Sequence, residues 1–252
     1  MNQKELQSFL DFKAQQYESA AFISHDPIQI PHQFSKKEDI EIAAFLSATI
    51  AWGNRVSILK SALKIMAIMD DSPYDFVLHH QEGDSKKFKG FVHRTFNEND
   101  LLYFVKALKN IYQNHGGLEH LFSKKNISLQ ERIHEFKKTF FELQHPPRTR
   151  KHVSDPLKGS AAKRINMFLR WMVRSNVKGV DFGIWKSILP SELSLPLDVH
   201  TGNIARKLKL LKRKQNDARA LSELDLKLRK LDPNDPVKYD FALFGLGAFE
   251  KF

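Results

Sequence analysis

Cysteine is entirely absent from this chain. That excludes disulfides, a thiol nucleophile, and any iron–sulfur cluster or zinc site held by cysteine thiolates. It also fits a reducing cytoplasm, where the protein is expected to reside. Long apolar runs are missing too: no stretch reaches the roughly 18 residues a membrane span needs, so no membrane association is expected. Residues 1 to 20 are polar and amphipathic, without the apolar centre of a secretion signal. No segment sustains the alternation of a strand, and neither repeats nor low-complexity linkers are visible. There is no Walker loop, no zinc-protease HExxH and no GxSxG elbow. The histidines, His79-His80, His93 and His152 among them, lack paired metal-ligand spacing backed by carboxylates. Asp70-Asp71, the nearest acidic cluster, reads as a helix end, so neither a metal nor another cofactor is expected.

What is present is a normal apolar complement and an excess of positive charge. The 252 residues are 42% hydrophobic, enough for one large domain or two small units with a shared core. Lys and Arg number 40 against 29 Asp and Glu, a net charge of +11, which favours a polyanionic partner, nucleic acid being the commonest. The basic residues concentrate at Arg148, Arg150, Lys151, Lys158, Lys163, Arg164, Arg170 and Arg174, and again from Arg206 to Lys214. The plainer alternative is a solvated basic surface.

The pattern along the chain is helical. Leu6, Phe9, Leu10 and Tyr17 mark an amphipathic helix over 3–20, and the prolines of 25–32 indicate an extended connection. Ser35 to Glu38 matches a capping box before a helix over 39–51 that is apolar on nearly all sides and so central. Further helices are expected over 55–69, 73–79, 101–113 with Asn99 as cap, 118–122 and 129–143. Later ones follow over 201–208, 221–231 and 237–244.

Three groups of residues carry chemical possibilities. Lys163 lies in the first turn of the helix that follows Gly159-Ser160. The positive end of that helix, with Lys158 and Arg164 nearby, opposes an ammonium ion there, and a neutral amine is what Schiff-base formation requires. A solvated helix lysine is the structural alternative. Asp198, in Pro196-Leu197-Asp198-Val199-His200, either caps the following helix or points into a cleft, with Thr201 a competing cap. Trp52-Gly53-Asn54-Arg55 follows the apolar helix and combines an aromatic with amide and guanidinium groups suited to a nucleobase; the alternative is a Trp packed between lobes.

Together these stretches resemble the helix-hairpin-helix DNA glycosylase superfamily, over about 40–69 and 155–211. Leu46-Ser47-Ala48-Thr49 resembles the LSAQ segment of the endonuclease III type. Pro196 to His200 is similar to the VDTH segment with that superfamily's catalytic aspartate. Lys163, followed by Arg164-Ile165-Asn166-Met167-Phe168, is similar to the lysine-bearing helix of the archaeal 8-oxoguanine glycosylase branch, and Asp198 follows 35 residues later, close to the separation in that branch. The hairpin departs from the usual LPGVG, reading Pro156-Leu157-Lys158-Gly159-Ser160, and the C-terminal cysteine loop is missing. The whole chain also resembles a bacterial family of conserved hypothetical proteins through DPIQIPH, FVHRTF and SAAKRINMFLRWMVR.

The resemblance implies an all-α, two-lobed fold with a helix-hairpin-helix-like element at 155–211, one lobe over about 35–145 and the other from 1–34 with 146–252. It implies a monomeric repair glycosylase with lyase activity on damaged double-stranded DNA, the target base being received between the lobes. Lys163 and Asp198 would be catalytic; Thr49, Trp52, Asn54 and Arg55 would contact the base; Lys158, Gly159, Ser160, Arg164, His200 and Arg206 would hold the backbone. The alternative is a nucleic-acid-binding protein on the same scaffold without catalysis.

Overall fold

The computed structural model describes residues 2–250 and 252. Among them the chain is all-α apart from one short hairpin. In order the helices are α1 (Gln3–Tyr17), α2 (Ala20–Ile23), α3 (Lys37–Thr49), α4 (Arg55–Ile68), α5 (Pro73–His79), α6 (Glu98–Asn114), α7 (Leu118–Phe122), α8 (Leu129–Phe140), α9 (Lys163–Val173), α10 (Val199–Lys207), α11 (Ala218–Leu231) and α12 (Tyr239–Ala248). Short 3₁₀ turns fill many of the connections. The hairpin pairs β1 (Val92–His93) with β2 (Phe96–Asn97), too short to leave an alternating pattern in the sequence. None of the described helices is long and apolar enough to cross a membrane.

Local chemistry explains where several boundaries differ from expectation. Residues 25–32 are not extended: Pro27 and Pro31 each open a 3₁₀ turn, and the Asp26 carboxylate caps the first by accepting from the Ile28 amide at 3.1 Å. The expected capping box at Ser35 does not form, and α3 starts after Lys36 without a side-chain cap. Helix α6 begins after Asn97 rather than Asn99, because Asn97 and Asp100 form a reciprocal capping box. Asp198, not Thr201, caps α10.

The chain divides into two compact units. One comprises Met1–Ser24, Ser128–Gln130 and Asp155–Phe252; the other His25–Ile127 and Glu131–Ser154. Residues 25–34 and 146–154, expected with the chain ends, therefore belong to the middle unit. The first stretch packs its 3₁₀ turns on α3. The second is fixed to α6, where Asp100 accepts from Thr149 Oγ1 at 2.7 Å and pairs with Arg148 at 2.6 Å.

The middle unit is built around α3, whose residues Ile40 to Thr49 are all buried. Phe45 meets Phe104, Phe136 and Phe140 with ring centroids 5.5–5.8 Å apart. Each such buried ring contributes about 1.5–3 kcal/mol through removal from water. The other unit packs α1 and α10 against α12. Gly245 makes the first contact possible: a Cβ there would fall 2.1 Å from the Tyr17 ring. Trp171, Trp185 and Phe168 fill the core beside α9.

Candidate catalytic site

Helix α9 leaves a tight turn. Asp155 Oδ1 accepts from the Leu157 amide at 3.2 Å, and Gly159 takes φ +90°, a conformation that suits glycine. Gly159 O then accepts from the Ala218 amide at 3.0 Å, and Ser160 bridges to Asp217, so the turn is tied to the start of α11. Ser160 Oγ accepts from the Ala162 amide at 3.1 Å. Ala162 itself is left-handed, at φ 44°, and α9 begins at Lys163 with no side-chain cap. Non-glycine residues in this region are uncommon and concentrate at functional sites.

Asp198 approaches from the start of α10. Its Oδ1 caps that helix by accepting from the Thr201 amide at 2.8 Å, and its backbone carbonyl accepts from Asn216 Nδ2 at 2.8 Å. Its other oxygen, Oδ2, lies 3.3 Å from Lys163 Nζ. The lysine side chain is 36% exposed and the aspartate 15%. An amine and a carboxylate from two elements 35 residues apart thus meet at a partly solvated position.

Two turns further along α9 the charges are buried. Arg170 pairs with Asp240 of α12, and its Nε lies 3.4 Å from Asp181. Arg174 donates to Asp181 at 2.6 Å, to Glu18 at 2.7 Å and to Asp235 at 2.8 Å. Those bonds hold its guanidinium further above its already high ordinary value, against the opposing effect of burial. Burial pushes the Asp240 carboxyl up to about 6; Arg170 opposes the shift and the nearby Asp198 adds to it. Composition alone gave no notice of this network. The available signal was arginine at positions 170 and 174 within an apolar helix, and aspartate in the apolar Tyr239–Ala248 segment.

Lys158, Gly159 and His200 are exposed, and Ser160 is half-buried. Arg164 follows Lys163 on α9, where burial lowers its guanidinium to about 10. Arg206 is committed to structure: its Nε and Nη2 donate to the Arg213 carbonyl at 2.8 Å and to Asn216 Oδ1 at 2.6 Å, bracing the following loop. Beside it a recess of about 360 Å³ is lined by His200, Asn203, Lys207 and Gly247.

The four residues expected to meet a base lie together in the middle unit. Thr49 is buried at the end of α3. Trp52 is half-buried, its ring 5.2 Å from His93 and 6.1 Å from His152, so it packs inside its own unit. Asn54 caps α4 through the Ser57 amide, and Arg55 pairs with Asp26 at 3.6 Å. Among the described residues no group of three His, Asp or Glu side chains converges as a metal site.

No curated protein and no solved structure matches the chain. A family model does, over residues 26–249, and its description is a protein of unknown function. With most of its length matched, the chain belongs to the DUF2400 family.

Proposed function

We propose that the protein is a DNA glycosylase with lyase activity, acting on a damaged base in duplex DNA. The observation that supports this most is the 3.3 Å approach of Lys163 Nζ to Asp198 Oδ2 at a half-open site. In this reading Asp198 accepts a proton from the lysine, whose amine attacks C1′ of the damaged nucleotide. The bond from C1′ to the base breaks, and the base leaves with its electron pair and takes up a proton. Opening of the sugar ring gives an iminium between Lys163 and C1′. Loss of a C2′ proton then expels the 3′ phosphate, and water releases the lysine. The uncapped start of α9 and the exposed Lys158 suit a backbone phosphate. An oxidised purine such as 8-oxoguanine is the substrate class suggested by the resemblance, by analogy. Residence in the cytoplasm and action as a monomer belong to the same proposal.

Borohydride trapping on abasic and 8-oxoguanine duplexes tests it. A covalent adduct is expected with the wild-type chain and none with Lys163→Gln. Absence of an adduct from folded wild-type protein removes the lyase mechanism. A second reading, nucleic-acid binding without catalysis, is favoured by the cap that Asp198 provides to α10. It predicts salt-sensitive duplex binding and no base release from any lesion.

A further inference from the structure

The middle unit carries a second site that the Lys163–Asp198 reading does not use. A recess of about 650 Å³ opens between the end of α5 and the outer face of α6, lined by His80, Gln81, Ser85, Leu102, Lys106 and Lys109. This lies within the 300–1,000 Å³ range of small-ligand sites. Its lining is unlike an apolar ligand pocket: among the described residues Leu102 is the one apolar side chain that lines it, and none of the lining side chains is a carboxylate. Lys106 and Lys109 stand three residues apart on α6, so both ammonium groups belong to one helix face. Lys106 is exposed, and Lys109 Nζ is steadied by donating to the His80 carbonyl at 3.2 Å.

His80 is held as well. Its Nδ1 contacts the Val77 carbonyl at 2.9 Å and its ring stacks on Phe76 with 5.9 Å between centroids. With Nδ1 facing that carbonyl, Nε2 is the ring nitrogen left to take up a proton. Burial, and the nearby Lys109 charge, lower the His80 ring below its ordinary value, while Asp84 opposes this from the adjoining 3₁₀ turn. Asp84 itself is occupied, accepting from the Gln81 amide at 2.9 Å. Two ammonium groups and several neutral donors, with no acid among the described lining residues, suit an anion that presents several oxygens. Lysine serves phosphate as a compact point charge.

We infer that this recess binds phosphate, with Lys106 and Lys109 neutralising the anion and Gln81, Ser85 and His80 hydrogen-bonding its oxygens. The source is either a phosphorylated small molecule or a nucleic-acid phosphodiester. As the anion enters, His80 takes a proton from solvent onto Nε2 and becomes a donor on both ring nitrogens.

The test is proton NMR of the whole chain, following the His80 ring resonance, which is identified by its loss in His80→Gln. Inorganic phosphate is titrated against chloride at equal ionic strength. The expected result is a saturable phosphate-specific shift and a rise in the pH midpoint of His80. Lys106→Gln, at an exposed position, weakens phosphate several-fold, and with Lys109→Gln added the loss reaches tenfold or more. A His80 response to phosphate no larger than to chloride, or an undiminished one in the double variant, overturns the site. Thymidine 5′-monophosphate and an oligothymidylate then identify the source: tighter binding of the nucleotide marks a small phosphorylated ligand, and tighter binding of the oligomer marks a backbone contact. Trapping at Lys163 does not read this recess, so either proposal fails without the other.

Discussion

Helix α9 carries two sets of ion pairs that differ in burial, and the difference bears on the proposed chemistry. At its middle and end, Arg170 and Arg174 are 3–4% exposed and meet Asp181, Asp240, Glu18 and Asp235. Such charges hold a fold together only as a complete set, since removal of one partner strands the others in a poorly solvated interior. At its start, Lys163 meets the Asp198 carboxylate and keeps about a third of its side chain exposed. A partly solvated pair of that kind contributes little to stability. The lesson is that one helix anchors a core at one end and holds a partly solvated ion pair at the other.

Substitutions sharpen the contrast, the largest effect on stability coming from the buried end. Arg174→Ala is expected to cost about 3–5 kcal/mol in urea unfolding, since it leaves Asp181, Glu18 and Asp235 without a shared partner. Asp240→Asn should change how stability depends on pH. Because burial raises the folded-state carboxyl to about 6 from 3.8, its contribution is complete below about pH 4 and is lost as pH rises through 6. Unfolding midpoints measured from pH 4 to 7 should therefore fall less in Asp240→Asn than in the wild type. A variant that tracks the wild type would show that Asp240 does not titrate there. Lys163→Gln should move stability by less than about 1 kcal/mol while abolishing the borohydride adduct. At Asp198 the two roles come apart: Asn keeps the cap on α10 and loses the negative charge, so adduct formation falls with near-normal stability. Asp198→Ala adds the lost cap, about 1 kcal/mol.

The helical plan was legible because periodicity and caps are local. Helix α3 reads as central from its unbroken apolar run, and its residues from Ile40 to Thr49 are buried. Boundaries slipped where two caps competed: Asn97 prevailed over Asn99 because Asp100 completes a box with it. The meeting of Lys163 with Asp198 was anticipated through the family resemblance, which stands in for long-range contact that periodicity cannot supply. The partners of Arg170 and Arg174 come from chain segments at positions 18, 181, 235 and 240, and no local pattern joins them. Arg206 looked like a phosphate contact by its charge, yet Asn216 and the Arg213 carbonyl hold its guanidinium. Trp52 kept two readings in the sequence; His152, which stacks on it, and His93, which meets it edge-on, are distant in the chain and pack it.

The central claim is that the amine at the start of α9 is reactive while the charges beyond it are architectural. Peptide mapping by mass spectrometry of the borohydride-trapped wild-type chain on an abasic duplex tests this most directly. The account predicts a deoxyribose remnant on the peptide containing Lys163. A remnant on another lysine, with Lys163 unmodified, would contradict it.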